Sequence, residues 1–533
     1  MRPGWVSSLS VLTGALVLSL SLAACSGSSD DSGADGDTTA VTSAEQGATV
    51  ADVVELRPLW TSDGRIVDDL DRDVLLRGAN VNSLAEYWQG VPEIDTTIPV
   101  TDADWDAMAA RGFSVVRLLV SWSRVEPERD QIDKEYLDLV DEHVEQAKAR
   151  GIYTVIDMHQ DAYSAFIHTT DAGECVGGTT PAKGWDGAPE WATITDGEST
   201  CLTNGDRNSS PAVTRAWNNF YDDRDGIRSE FTEAWAAIAG RFVGRAEVAG
   251  FDILNEPDAS APAAELTPKY EALLGETITA IREAQAGAPF RHIAFVEPAL
   301  PAGHRENGLV IPDPARIGLG ADGVVASVHN YSESIDNGMG LSIEAMNGLI
   351  SDFTSGMGIP DWGGEYGFWN TEPATLEKAE RYAADEDARL WGGAWWQWRQ
   401  SCGDPHAVQW VDGEVVAPTG ESIQLNRLAC PDNTDLGPTE EFLRLVGRGY
   451  PRAAPGRLTE VVSDPDAGTL SVTADAGADD VGNELVVWLP TGGEEDVEVT
   501  VVGLDDVEQR AVPGGRLIVA TVAAAGEYSI QTG

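Results

Sequence analysis

The stretch from 113 to 158 decides the fold class. It reads FSVVRLLV at 113–120 and IYTVIDM at 152–158, two apolar runs rich in the β-branched residues that favour strands. Four apolar residues between these runs recur at helical spacing: Leu137, Val140, Val144 and Ala147. Gly151 directly precedes the second run and is typical of the end of a helix. The order strand, helix, strand predicts two parallel strands joined by a helix.

The same rhythm extends along most of the chain. Strand-like runs occur at eight positions: 75–81, 113–120, 152–158, 248–254, 292–296, 324–329, 359–365 and 392–398. Segments of helical periodicity separate most of them, for example 266–284 and 374–389. Eight such units predict an α/β fold, a (β/α)8 TIM barrel. An open doubly wound sheet is the alternative, but no G-x-G-x-x-G motif follows an early strand.

The C-terminal part of the chain has a different pattern. After Tyr450 and Pro451, short runs alternate with a period near two, and Gly, Asp and Pro turns separate them. This pattern predicts a small antiparallel β-sandwich. We therefore assign 51–452 to the barrel and 453–533 to the sandwich. Its sparse aromatic residues favour an accessory packing domain over a carbohydrate-binding surface.

The N-terminus has the features of an export signal. Residues 1–24 carry one charge, Arg2, and an apolar run too short to span a bilayer core of about 30 Å. The run ends in Leu-Ala-Ala-Cys25, which resembles the bacterial lipobox, in which the Cys is lipidated. Residues 25–50 then form a flexible tether rich in Gly, Ser and Asp. We expect a lipoprotein at the extracellular face of the membrane; a plain secretory signal is the alternative.

The charge of the chain excludes some partners. Lys and Arg number 35 against 88 Asp and Glu, which gives a net charge of −53. Nucleic-acid recognition depends on dense Lys and Arg, so a nucleic-acid partner is not expected.

Four cysteines remain once Cys25 is set aside: Cys175, Cys201, Cys402 and Cys430. Disulfides are expected in an exported chain. Three connectivities are possible, of which the most local joins 175 to 201 and 402 to 430. No Cys and His spacing typical of zinc is present, so no metal site is expected.

Polar residues follow several of the predicted strands. Glu256 and Glu365 lie at the ends of two strands, and the eighth strand carries Trp395, Trp396 and Trp398. In a (β/α)8 barrel these ends meet at one face, where active sites form. A pair of carboxyl groups beside aromatic walls suits hydrolysis of a glycosidic bond.

Several motifs resemble those of clan-A glycoside hydrolases of family five, and more narrowly the endoglycoceramidases. They are FDILNEP at 251–257, WGGEYG at 362–367, DMHQDAYS at 157–164, APEWAT at 188–193 and AWNNF at 216–220. The resemblance covers about 60–450 and implies a retaining mechanism, with carboxyl groups about 5–5.5 Å apart. It implies no metal and no cofactor.

The resemblance also implies residue roles. Glu256 would be the general acid/base and Glu365 the nucleophile. The remaining residues would contact sugar or support the carboxylates: Asp157 and His159 on the non-reducing side, Asn255 at the 2-hydroxyl, Tyr331 beside the nucleophile, Trp396 as the aromatic floor, and Arg117 and His329 behind the carboxylates. Alternatives stay open at three positions. His159 could be a core-edge histidine, Arg117 a structural ion pair, and Trp398 the aromatic floor instead of Trp396.

The sequence departs from the family in two places. Endoglycoceramidases often carry a Lys near the end of the first strand, whereas Asn80, Asn82 and Glu86 stand here. A long Gly- and Thr-rich loop also lies between His168 and Asn208. The identity of the glycan therefore stays open.

These features together predict a monomeric, retaining β-glycosidase that separates a glycan from a lipid aglycone, near a membrane through its anchor. An endo-β-glucanase or a β-glucosidase on another hydrophobic glycoside is the alternative with the same chemistry. A glycan-binding lipoprotein without catalysis is the alternative from a different class, and the presence of both glutamates argues against it.

Overall fold

The computed structural model describes residues 48–317, 322–335, 340–491 and 496–533. The predicted signal peptide (1–24), Cys25 and most of the tether lie outside these ranges. Among the described residues, no helix combines the length and the apolar character needed to cross a bilayer.

Eight parallel strands close into a barrel, and three short strands precede them. The preceding strands are β1 (Leu59–Ser62), β2 (Arg65–Asp68) and β3 (Arg72–Asp73). The barrel strands are β4 (Arg77–Leu84), β5 (Val115–Ser121), β6 (Tyr153–His159), β7 (Val248–Asp252), β8 (Ile293–Val296), β9 (Val324–His329), β10 (Asp361–Tyr366) and β11 (Gly393–Trp395). Each strand pairs with its neighbours in chain order, and β11 pairs with β4 to close the ring. The predicted (β/α)8 barrel is confirmed, and the open doubly wound sheet is wrong.

Helices cover the outside of the barrel. They are α1 (Asp102–Ala110), α2 (Trp122–Val125), α3 (Lys134–Lys148), α4 (Pro211–Tyr221), α5 (Ile227–Arg241), α6 (Ala263–Ala284), α7 (Ile343–Met357) and α8 (Pro373–Arg389), followed after the barrel by α9 (Glu440–Val446). The helix α3 shows why they form here. Asp133 caps it by accepting a hydrogen bond from the amide of Tyr136 at 3.0 Å. Its apolar stripe is buried against the barrel, and Gly151 turns the chain into β6 at φ +70°.

Two small sheets follow the last barrel strand. They consist of β12 (Gln409–Val411) with β13 (Glu414–Val416), and of β14 (Gly420–Ser422), β15 (Asn426–Cys430) and β16 (Thr434–Pro438). The structure contains the disulfides Cys175–Cys201 and Cys402–Cys430, which is the most local of the three possible pairings. The first lies in the loop after β6 and the second ties the segment after β11.

The C-terminal strands form two antiparallel sheets with a common core. The strands are β17 (Tyr450–Pro455), β18 (Arg457–Asp464), β19 (Thr469–Ala476), β20 (Glu484–Pro490), β21 (Val499–Val502), β22 (Leu504–Val512), β23 (Gly515–Val522) and β24 (Gly526–Thr532). One sheet has the order β18-β19-β24-β21, and the other the order β1-β2-β3-β17-β20-β23-β22. Because β3 pairs with β17, the strands at 59–73 belong to the sandwich, although the predicted barrel range of 51–452 includes them.

The sandwich packs against the end of the barrel where its strands begin. Tyr450 donates a hydrogen bond to the carbonyl of Gly112, just before β5, and Trp488 is fully buried. The functional face of a (β/α)8 barrel lies at the opposite end. The sandwich therefore leaves that face open.

Candidate active site

A cavity of 1080 Å³ lies at the carboxyl ends of the barrel strands. Seven of the sequence-predicted site residues lie on its wall: His159, Asn255, Glu256, His329, Tyr331, Glu365 and Trp396. Three of them lie on the strands β6, β9 and β10, and the other four lie in the segments that follow β7, β9 and β11. The parallel barrel brings them together because every strand delivers its last residues to the same face.

Glu365 and Glu256 face each other across His329. A carboxylate oxygen of each and a ring nitrogen of His329 all lie within 4.8 Å of one another. This spacing suits a retaining glycosidase, whose carboxyl groups are about 5–5.5 Å apart, better than an inverting one, which needs about 6.5–9.5 Å.

Glu365 lies at the end of β10 among hydrogen-bond donors. Arg117 Nη1 donates to its Oε1 at 2.8 Å, and the Tyr331 hydroxyl donates to its Oε2 at 2.9 Å. His329 Nδ1 is 3.4 Å from the same Oε2. Burial raises the pKa of Glu365, while the charges of His329 and Arg117 oppose that rise. The donors fix the carboxylate in place and leave it able to attack a neighbouring carbon.

Glu256 has a different environment. His329 Nδ1 lies 3.0 Å from its Oε1, and Arg207 Nη2 lies 2.6 Å from its Oε2. Its backbone is in the left-handed region, at φ +36°, and its amide donates to Glu297 Oε2 at 2.9 Å. Burial raises its pKa, but the hydrogen bond from His329 and the charge of Arg207 outweigh burial and lower the pKa to about 2. The two carboxylates are thus held in distinct electrostatic settings.

Arg117 connects the whole site from below. It is fully buried at the centre of β5. Its guanidinium contacts six side chains: Asn80 at 3.1 Å, Asp157 at 3.0 Å, Asp252 at 2.9 Å, Asn255 at 2.9 Å, Glu297 at 3.2 Å and Glu365 at 2.8 Å. The two roles left open by the sequence coincide, because Arg117 is both a structural ion pair and the partner of Glu365. Removing it would leave several buried carboxylates uncompensated.

Asp157 differs from the sequence expectation. Its carboxylate is fully buried, accepts a hydrogen bond from His159 Nδ1 at 2.7 Å and pairs with Arg117. Asp157 is not among the residues that line the cavity, whereas His159 is, and the contact with Nδ1 orients the His159 ring. Burial lowers the pKa of His159 to about 4, which keeps the ring neutral. With Nδ1–H donating to Asp157, His159 Nε2 is an acceptor, and within the described residues it is buried without a hydrogen-bond partner, 3.9 Å from Asp161 Oδ2.

Asn255 and Trp396 complete the floor and wall. The Asn255 side chain accepts from Arg117 and donates one amide hydrogen to the carbonyl of Gln160 at 3.0 Å. Trp396 lines the cavity, with its ring nearly parallel to that of His159 at 5.3 Å. Trp398 instead packs on Phe113 and donates to Asp104 at 3.1 Å. Of the two tryptophans, only Trp396 is placed to contact a ligand.

Two residues at the site were missed by sequence reasoning. Glu297 follows β8 directly and bonds Arg117, His329 and the amide of Glu256. Burial raises its pKa to about 8. Its position after a strand, before Pro298, was the signal that could have found it. Arg207 lies in the irregular loop between His168 and Asn208, where no periodicity marks it.

Two loops close one side of the cavity. Lys183, from the loop after β6, donates to the carbonyls of Pro405 and Val408, the latter at 3.0 Å. His406 Nε2 lies 3.2 Å from Asp161 Oδ2, and Trp410 donates to Ala182 at 3.3 Å. Each loop carries one of the disulfides. The polar end of the cavity is therefore bounded by two loops that each carry a disulfide.

In the part of the chain that the structure describes, two groups of side chains are close enough to hold a metal ion. They are His159, Asp161 and Asp186, and Glu256, His329 and Glu365. Asp161 already pairs with Arg207, and the carboxylates of the second group already accept protein donors. These ion pairs account for the clustering.

The other end of the cavity is apolar. Its wall follows the outward-facing residues of β9, Val324, Ala326 and Val328, and passes under α7. The remaining apolar lining includes Val296, Leu300, Ile311, Ile317, Met346, Ile350, Phe353 and Ile359. Along β9 this slot is about 13 Å long at about 3.3 Å per residue. Ala326 is only half-buried although it lies in an interior strand, because the slot separates it from α7.

Comparisons with known proteins agree with this geometry. The family model of cellulase, glycosyl hydrolase family 5, matches residues 73–401. The endoglycoceramidase I of Rhodococcus hoagii (strain 103S) is 24% identical over 496 residues, which cover 87% of this chain and 86% of that protein.

Solved structures show the same relationship. The crystal structure of an endogalactoceramidase is 35% identical and superposes with a TM-score of 0.78 over 89% of this chain and 100% of its own. The endo-glycoceramidase II of Rhodococcus sp. in its ganglioside GM3 complex is 25% identical, with a TM-score of 0.65 over 88% and 99% of the two chains. The chain therefore belongs to glycosyl hydrolase family 5.

Proposed function

We propose that this chain hydrolyses the β-glycosidic bond between a glycan and a lipid aglycone, with release of an intact oligosaccharide and ceramide from a glycosphingolipid. The family membership carries the retaining glycosidase chemistry. The choice of a lipid aglycone depends on the two-ended cavity.

The observation that carries the proposal is the continuity of the polar and apolar parts of one cavity. Glu256 and Glu365 line this cavity together with His329, the last residue of β9, the strand along which the apolar slot runs. At the polar end, sugar hydroxyls would meet His159 and Asn255, which both line the cavity. A hydrocarbon chain in the apolar slot under α7 would be buried, and this burial would stabilise the bound chain by about 0.8 kcal/mol per methylene.

The residues suggest a double displacement. Glu365 attacks the anomeric carbon, while Glu256 gives its proton to the glycosidic oxygen and the carbon–oxygen bond to the aglycone breaks. Water then enters, Glu256 takes one of its protons, and the water oxygen displaces Glu365 from the sugar. Arg117 and Tyr331 hold the Glu365 carboxylate at the angle the attack needs.

The relatives support the same substrate class. Two of the similar proteins are an endoglycoceramidase and an endogalactoceramidase, and one solved relative is described with ganglioside GM3. An endo-β-glucanase would need aromatic platforms on both sides of the cleavage point. The described lining of the slot under α7 is mostly aliphatic, and Phe353 is its aromatic residue on that helix.

A product assay tests the proposal. We would incubate the enzyme with glycosphingolipids, alkyl and aryl β-glycosides and soluble β-glucans, and identify products by mass spectrometry. Intact oligosaccharide plus ceramide is the expected result. Cleavage of β-glucans with the glycolipids untouched would overturn it.

The variant Glu365→Gln separates the mechanism from the substrate. It removes the nucleophile with a nearly identical shape, and we expect all hydrolysis to disappear. Unchanged turnover by this variant on every substrate would show that another residue attacks the sugar.

We also propose that the chain is exported and anchored through a lipidated Cys25. The support is the apolar run that ends in Leu-Ala-Ala-Cys25 and the polar tether behind it. Cys25→Ser should move the protein from the membrane fraction to the medium. A wild-type protein found in the soluble fraction, with an N-terminal peptide of unmodified mass, would contradict the anchor.

A further inference from the structure

Arg207 joins two carboxylates at the junction of the cavity. Its Nη2 lies 2.6 Å from Asp161 Oδ1 and 2.6 Å from Glu256 Oε2. The guanidinium also lies over the ring of Trp185, at 5.0 Å from the centroid. Three contacts thus hold this side chain at the end of a loop that is otherwise irregular.

Both oxygens of Glu256 accept hydrogen bonds in this arrangement. His329 donates to Oε1 and Arg207 donates to Oε2. A general acid needs one carboxyl oxygen that carries a proton and faces the leaving group. The arrangement seen here suits Glu256 as a base, in the second step, and obstructs it as an acid, in the first.

We propose that Arg207 is a positioning residue that leaves Glu256 when the aglycone occupies the junction and returns once the aglycone has departed. This inference rests on the proposed function of Glu256. Asp161 and Trp185 stay in contact with Arg207 while its side chain is away from Glu256, so only the contact with Glu256 has to break. Arg207 therefore allows Glu256 to be protonated in the first step and ionised in the second.

Other charged groups face this pair from every neighbouring element. They are His159 and Asp161 from β6 and its end, Lys183, Asp186 and Asp206 from the loop after β6, Glu297 after β8, His329 from β9, Glu365 from β10, and Asp404 and His406 after β11. His329 and Arg207 are the two cations in contact with Glu256. His329 also serves Glu297 and Glu365, whereas the ion pairs of Arg207 are with Glu256 and with Asp161, which keeps His406 as a second partner at 3.2 Å. Removal of Arg207 therefore disturbs fewer carboxylates than removal of His329.

The test compares the pH dependence of wild type, Arg207→Met and Arg207→Lys. Arg215→Met is the matched control, since this exposed arginine on α4 pairs only loosely, at 3.6–3.7 Å, with acidic groups away from the cavity. For kcat/KM on an alkyl β-glycoside, the first step requires protonated Glu256. We expect the basic limb of the pH profile of kcat/KM to lie about one pH unit higher in Arg207→Met than in the wild type. Arg207→Lys and the control should keep the wild-type limb.

The second step is measured with a 2,4-dinitrophenyl β-glycoside, whose leaving group needs no acid. Here kcat reports deglycosylation, which requires ionised Glu256. We expect the acidic limb of Arg207→Met to move upward as well, by about one unit. A limb that stays at its wild-type pH in either measurement, or a Lys variant that behaves like Met, overturns the proposal. A wild-type enzyme that cleaves no glycoside would instead reject the proposed function.

Discussion

The hydroxyl of Tyr331 donates a hydrogen bond to Glu365 Oε2 at 2.9 Å, while the tyrosine ring stacks on Trp369 at 5.7 Å. The two contacts use separate parts of the side chain. The hydroxyl can therefore be removed without losing the stacked ring.

We expect Tyr331→Phe to reduce kcat/KM by about ten- to a hundredfold, because a hydrogen bond to a charged group contributes about 1.5–3 kcal/mol. The melting temperature should change little, since the stacked ring remains. Steady-state kinetics and thermal unfolding of the same preparation measure both quantities. An active variant with wild-type kcat/KM would mean that the hydroxyl does not tune Glu365.

The leaving group should decide how much activity Glu256→Gln loses. General acid catalysis contributes about 10²–10⁴-fold, and only substrates with poor leaving groups need it in the first step. We expect kcat/KM to fall by that factor for an alkyl glycoside and far less for a dinitrophenyl glycoside. Glu233→Gln, an exposed change on α5, is the matched control. Equal losses on both substrates would argue against Glu256 as the acid.

The apolar slot can be blocked from α7. Met346 lines the slot, and the variant Met346→Trp would exclude several methylenes of a bound hydrocarbon chain. At about 0.8 kcal/mol each, their loss should lower kcat/KM for a glycolipid by roughly ten- to a hundredfold. Activity on a short aryl glycoside should persist. Asp352→Trp, an exposed change of the same kind on α7, should affect neither substrate.

His406 should make the folded state sensitive to alkaline pH. Burial lowers its pKa, but Asp404 and Asp161 outweigh burial and raise the pKa to about 10. An unfolded histidine titrates near 6.5, so its stabilising contribution is fully present below about pH 6.5 and is lost as the pH rises toward 10.

The variant His406→Asn removes that dependence. Over this window it should flatten the decline of the free energy of unfolding by up to about 1.4 kcal/mol per pH unit. Urea unfolding between pH 6 and 10 measures the slope. The same slope in variant and wild type would show that His406 is not charged in the folded enzyme.

The barrel was predictable from sequence because its strands are local and its rhythm is regular. Runs such as 113–120 and 152–158 are buried on both faces and separated by a capped amphipathic helix, so neighbouring residues alone determine them. Glu256 and Glu365 could be anticipated for the same reason, since each directly follows or ends such a run.

The parts that sequence did not provide depend on distant residues. Asp157 and His159 lie on the same face of β6, and only the packed barrel shows that His159 lines the cavity and Asp157 does not. Arg207 reaches Glu256 through the path of a long loop, and β3 pairs with β17 from the other end of the chain. No local sequence pattern indicates contacts between residues that are so far apart in the chain.

The pairing of β3 with β17 determines when the N-terminal strands can complete their sheet during synthesis. The first strands leave the ribosome early, but the sheet that they complete does not exist until the last strands have been made. A domain can fold during synthesis only when the strands that pair with one another have all been made. The edge of β3 must therefore stay unpaired through synthesis of the entire barrel, and truncations near the C-terminus should harm the start of the chain as much as its end.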